Sequence, residues 1–248
     1  DITLGNVIKM TRGSKVATEE DKTASSNYPR FSLDKVTIPI GGDEIAATNG
    51  NNSFAEVEFD IRIDKNMLEG STKTYNTAIF FKDTAKSANV FSLLLSGNGT
   101  MSYGYDDNTY EVQTSINNFT FDFNKTHRIK FVMQTTDENG NATQKMTGIY
   151  LDGENMLPEP VKFTNISSKS IMVGEEKTYP AVESTCINRI YFSPNKIENA
   201  DDYALYVDNL RINQYNLENA ANPSPVKDLS SLVLELRRKT EEGALIDT

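Results

Sequence analysis

From Phe54 to Asp64 the chain alternates without a break. Val57, Phe59, Ile61 and Ile63 fall on one parity, and Glu56, Glu58, Asp60, Arg62 and Asp64 on the other. Side chains of a β-strand project alternately to its two faces, so this stretch predicts a half-buried strand with an apolar side and a charged side.

The same period recurs along most of the chain. ITLGNVIKM at the start is a plausible first strand, and further strands are predicted at Phe31–Ile40, Tyr75–Phe81, Val90–Leu95, Thr100–Tyr105, Tyr110–Ile116, Phe119–Phe123, His127–Thr135, Met146–Leu151 and Asn188–Phe192. Turn signals separate them: GGDE after Ile40, the Asn139-Gly140 and Asp152-Gly153 pairs, and the polar clusters SSKS and VGEE. Pro39 cannot donate to a ladder and predicts an edge or a strand end. Short strands divided by turns, with almost no helical periodicity before residue 226, predict an all-β chain, an antiparallel β-sandwich over residues 1–216. Residues 217–227, with Asn222-Pro-Ser-Pro225, read as a linker. In 228–248, Leu229, Leu232, Val233 and Leu236 fall at i, i+3, i+4 and i+7. That spacing predicts an amphipathic helix ending near Gly243, either a C-terminal appendage or the start of a next module.

A second dense run, Asp202–Ile212, breaks its own pattern. Tyr203, Leu205 and Val207 share one face, whereas Leu210 and Ile212 have the opposite parity. Either both faces are covered, or a bulge at Asp208-Asn209 resets the pleat. The short acidic residue there must be hydrogen-bonded, exposed at a kink or bound to a cation.

Charge narrows the partners. A net charge of −10 over 248 residues argues against nucleic acid and anionic membranes, which need clustered Lys and Arg. A polyanionic glycan would need a local basic groove or a bridging cation. The single cysteine, Cys186, rules out an intramolecular disulfide and a multi-thiolate zinc site. No run approaches the roughly 20 apolar residues of a membrane span. The start at Asp1, without Met or an apolar leader, reads as a segment of a longer protein.

Three features in order carry a resemblance: the long strand FAEVEFDIRI, the hairpin GIYLDGENM, and the closing strand YALYVDNLRI. Tyr150, Asp152 and Gly153, followed by Tyr206, Val207, Asp208, Asn209, Leu210 and Ile212, resemble the hairpin and last strand of concanavalin A-like, laminin-G-type jelly rolls and related carbohydrate-binding modules. The likeness covers about residues 30–215. It implies a concanavalin A-like sandwich, and a non-catalytic module that binds a polysaccharide or glycan within a secreted or cell-surface bacterial protein, beside neighbouring modules. The same sandwich also hosts hydrolases, lyases and structural or adhesive spacers.

Aromatic faces stack on sugars and polar groups bind hydroxyls, so the candidate ligand residues are Tyr103, Tyr105 and Tyr110, flanking the turn Asp106-Asp107-Asn108, together with Glu58, Asp60 and Arg62. With no tryptophan in the chain, any platform is built from tyrosine. Asp208 resembles an acid that ligates structural calcium in such modules, and Asp43 could contribute. The enzyme alternative, a glycoside hydrolase or polysaccharide lyase, would use Glu58 and Asp60. Same-face residues two apart sit about 6.8 Å apart along a strand, so these side chains would have to converge to form a retaining pair. A lyase would need a tyrosine or histidine base; the sole histidine, His127, stands at a strand entrance and fits a structural or surface place better.

Overall fold

The alternating stretch forms β3 (Ser53–Ile63), and its apolar parity, Ala55 to Ile63, is fully buried. The computed structural model describes residues 8–11, 31–42, 45, 49–64, 77–104, 114–123, 125–167, 169–194, 204–217, 224–225, 238–239 and 245–246. β3 lies inside an eight-stranded antiparallel sheet with the path β1 (Ile8–Thr11), β16 (Ala204–Asn216), β3, β8 (His127–Thr136), β9 (Ala142–Leu151) and β10 (Glu154–Asn155). To this sheet β11 (Val161–Lys162) adds on β9 and β17 (Ser224–Pro225) on β16. A seven-stranded sheet runs β2 (Phe31–Pro39), β15 (Cys186–Pro194), β4 (Thr77–Asp83), β5 (Ala88–Leu95), β6 (Met101–Tyr103) and β7 (Thr114–Ile116), with β12 (Ile166–Ser167) on β5. β2, with Pro39 at its end, is an edge strand as predicted. β13 (Ile171–Val173) and β14 (Glu176–Thr178) form a separate ribbon around the VGEE turn.

The apolar faces of the two sheets meet. Phe59 of the first packs edge-on against Phe192 of the second, ring centroids 4.9 Å apart, and Phe131 against Phe81 at 4.8 Å. Such aromatic pairs add to the burial of apolar area that holds the layers together. The fold is an antiparallel jelly-roll β-sandwich, as the sequence predicts.

The closing strand resolves its broken parity with a bulge. Asp208 lies opposite Asp60 and Arg211 opposite Glu58, so β16 spends three residues where β3 spends two. Asn209 takes the left-handed conformation, φ 52, that an inserted residue needs and that asparagine tolerates. Val207 and Ile212 both stay buried across the break.

One expectation changes. Phe119–Phe123 is not a strand: Asn118 turns the chain at φ 68, and the Phe121 N–H donates to the Gly99 carbonyl at 2.8 Å. The buried Phe121 ring packs on Phe123 and His127, so its apolar residues fill the end of the sandwich instead of joining a ladder. The helix-spaced leucines 229–236 lie outside the described residues. Farther on, Arg238–Lys239 (β18) pairs antiparallel with Leu245–Ile246 (β19).

His127 is a buried structural group. Its Nδ1 lies 2.8 Å from Asp152 Oδ2, and its Nε2 lies 3.0 Å from the Asp122 carbonyl. Asp152 (φ 52) and Gly153 (φ 93) supply the two left-handed residues of the β9–β10 turn. Partial burial pushes the Asp152 carboxyl up. The Arg128 N–H bond, the His127 bond and the charges of His127 and Lys125 more than offset this, leaving the pKa below its ordinary value. A depressed folded-state pKa stabilises the fold above the unfolded value of about 3.9, and that contribution is lost as pH falls through the lower folded value. Asp152→Asn is therefore expected to be less stable than wild type at neutral pH, with the difference shrinking in acid. Urea melts between neutral and acidic pH check this, and a pH-independent difference would contradict it.

Candidate binding face

The bulge is organised around Asp60. This carboxylate is fully buried, and it accepts bonds from Arg128 Nε at 2.8 Å, Arg128 Nη2 at 3.0 Å and Asn209 Nδ2 at 2.6 Å. The bond to Asp60 raises the Arg128 pKa, against partial burial and with help from the charges of Asp60, Glu58 and Asp152. Asp60 is thus held within the sheet by Arg128 and Asn209, its carboxylate out of solvent, and the two acids of the enzyme alternative share Arg128 Nε, 2.8 Å from Asp60 and 3.9 Å from Glu58. Glu58 does face outward, 3.9 Å from Arg128 Nε and in register with Lys130 and Arg211. Arg62 sits farther along, 3.3 Å from Asp64, with its guanidinium 5.7 Å from the Tyr206 ring centroid.

The predicted tyrosine platform does not join these groups. Tyr103 belongs to β6 in the other sheet, opposite Leu93, and its ring stacks on buried Phe91 at 6.1 Å. It is a core-packing residue. Strand parity indicates that two residues share a face but not which sheet the face belongs to. Tyr105 and Tyr110 lie outside the described residues.

Of the expected calcium ligands, Asp43 also lies outside the described residues. Asp208 Oδ1 accepts the Asn209 N–H at 2.7 Å. Among the described residues no group of three or more His, Cys, Asp or Glu side chains could hold a metal ion.

The outer face of the eight-stranded sheet carries a different cluster. Tyr150 on β9 lies opposite Lys130 on β8. Its ring folds back over Gly148, two residues earlier on the same side: a Cβ at Gly148 would come 2.5 Å from Tyr150 Cε2. Only a residue without Cβ lets the ring lie there. Lys130 Nζ sits 5.0 Å from the Tyr150 centroid and 3.7 Å from Glu56 Oε1. The Tyr215 hydroxyl donates to Glu56 Oε1 at 3.1 Å, and the Tyr215 ring stacks on Phe54 at 5.7 Å. Burial, then the charge of Glu56 and the bond to it, push the Tyr215 pKa up to about 12. Tyr215 therefore remains a protonated donor at neutral pH and is a poor general base.

These half-buried groups give an aromatic surface edged by a carboxylate and an ammonium. The sequence signal for it is the Gly148-x-Tyr150 spacing within a strand, where glycine marks a close approach by its neighbour. Gly148→Ala is expected to displace the Tyr150 ring from this position while changing stability by no more than about 1 kcal/mol; the Tyr150 ring resonances in NMR report the first effect and urea melts the second.

No known family model matches the chain, and no curated protein matches its sequence. Among solved structures, a Trypanosoma rangeli sialidase is similar at TM-score 0.36 and 14% identity, over 66% of this chain and 21% of that one. The botulinum neurotoxin serotype D binding domain is similar at TM-score 0.37 and 14% identity, over 84% and 43%. Lactose- and MES-liganded congerin II is similar at TM-score 0.38 and 9% identity, over 74% and 98%. The chain thus spans about a fifth of the sialidase and under half of the toxin domain.

Proposed function

We propose that this protein is a non-catalytic carbohydrate-binding domain whose site is the outer face of the eight-stranded sheet, centred on Tyr150. The observation that carries the reading is the Tyr150 ring laid over Gly148 beside the Lys130–Glu56 pair. A flat apolar ring bordered by a donor and an acceptor suits a pyranose, which has apolar C–H faces and a rim of hydroxyls. The burial of Asp60 and the protonated state of Tyr215 favour binding over chemistry. In this reading the domain is one module of a secreted or cell-surface bacterial protein and holds neighbouring modules on a polysaccharide. Calcium at Asp208 belongs to the same proposal: a lower melting temperature in EDTA would support it, and an unchanged one would remove it.

The test is titration calorimetry against a polysaccharide panel with wild type, Tyr150→Ala and Tyr103→Ala. Tyr150→Ala is expected to abolish or strongly weaken binding, and Tyr103→Ala to leave affinity unchanged. No heat with any glycan, or equal affinity of wild type and Tyr150→Ala, would overturn the reading.

A further inference from the structure

The same face bears on the chemical class of glycan, an inference that rests on the binding role proposed above. Three of its cations already hold carboxylates. Lys130 Nζ lies 3.7 Å from Glu56 Oε1, Arg128 grips Asp60 with two nitrogens, and Arg62 Nη2 lies 3.3 Å from Asp64 Oδ1. An anionic sugar on the Tyr150 ring would have to take Lys130 from Glu56 and would then face that carboxylate at short range, since Arg211, the exposed cation opposite Glu58, lies three strands away on β16. The net charge of −10 adds long-range repulsion.

A hydroxyl meets no such penalty, because it donates and accepts at once. Lys130 and Glu56 present a donor and an acceptor 3.7 Å apart beside the Tyr150 ring. Two neighbouring hydroxyls of one pyranose can engage both, one accepting from Nζ and the other donating to the carboxylate, while the sugar's C–H face rests on the tyrosine. Charge assistance makes each bond stronger than one between neutral groups.

We infer that the Lys130–Glu56 pair reads a vicinal pair of hydroxyls on an uncharged pyranose, so that the ligands are neutral polysaccharides rather than uronates, sulfated glycans or sialosides. Full-length chain is titrated with neutral glycans (mannan, xylan, β-glucan, galactan) and with anionic ones (polygalacturonate, chondroitin sulfate, sialyllactose), using wild type and Glu56→Gln. The expected result is binding to a neutral glycan that Glu56→Gln weakens by about fivefold or more. That affinity should change less than about twofold when salt shortens the screening length from about 10 Å to about 3 Å. Binding only to an anionic glycan, strengthened by Glu56→Gln and lost in salt, would overturn the inference and leave the binding role standing. Neutral binding indifferent to Glu56→Gln would overturn the assignment to this pair. No binding to either set would overturn the binding role as well.

Discussion

Asp60→Ala is expected to lower the unfolding free energy by about 3 kcal/mol, near the low end of the cost of breaking a buried ion pair. Asp60 is fully buried on the outer side of β3 and is tolerated there because three N–H groups satisfy it. Alanine would leave the Arg128 guanidinium and the Asn209 amide without their acceptor. Arg128 is 42% exposed and can turn to water, which limits the loss. Asn209 is exposed as well, so its amide can also turn to water, although its backbone stays at φ 52 inside the bulge. Replacing both charges, with Asp60→Leu and Arg128→Met, is expected to recover much of the stability, because no unpaired charge then remains. Urea denaturation with an unchanged slope measures the effect, and a loss under 1 kcal/mol for Asp60→Ala would remove the anchor from the account.

The other large effect is on binding. Tyr150→Ala is expected to weaken glycan affinity by a factor on the order of tenfold to a hundredfold, the usual consequence of truncating a central aromatic contact. The ring is an outer-face side chain above Gly148, so its removal opens no cavity in the core and the melting transition should move little. Removing Tyr103 should do the opposite. That ring packs on Phe91 within the sandwich, and its loss costs stability without touching the proposed site.

This contrast shows what was legible in the sequence. Alternation at 54–64 identified β3, its inward residues and the direction of Glu56 and Glu58. The parity break at Asp208-Asn209 left a bulge or two covered faces as alternatives, and the register shift between Asp208 and Arg211 decides for the bulge. Neither feature could show that Asp60 would be drawn out of solvent, because that depends on Arg128 arriving from β8 and Asn209 from β16, 68 and 149 residues away along the chain. The candidate site was hidden for a related reason. Glu56, Lys130, Tyr150 and Tyr215 come from four strands, and only the strand order β16, β3, β8, β9 brings them together. Phe119–Phe123 misled because alternation also suits a loop that buries every second side chain.

On the proposed reading, ligand binds the outer face of the eight-stranded sheet. Two-dimensional amide NMR during titration with a binding polysaccharide tests it most directly. Shifts are expected at Glu56, Lys130, Gly148, Tyr150 and Tyr215, with the amides of Met101–Tyr103 unmoved. Shifts confined to β6 and its neighbours in the seven-stranded sheet, with Gly148 and Tyr150 silent, would contradict it.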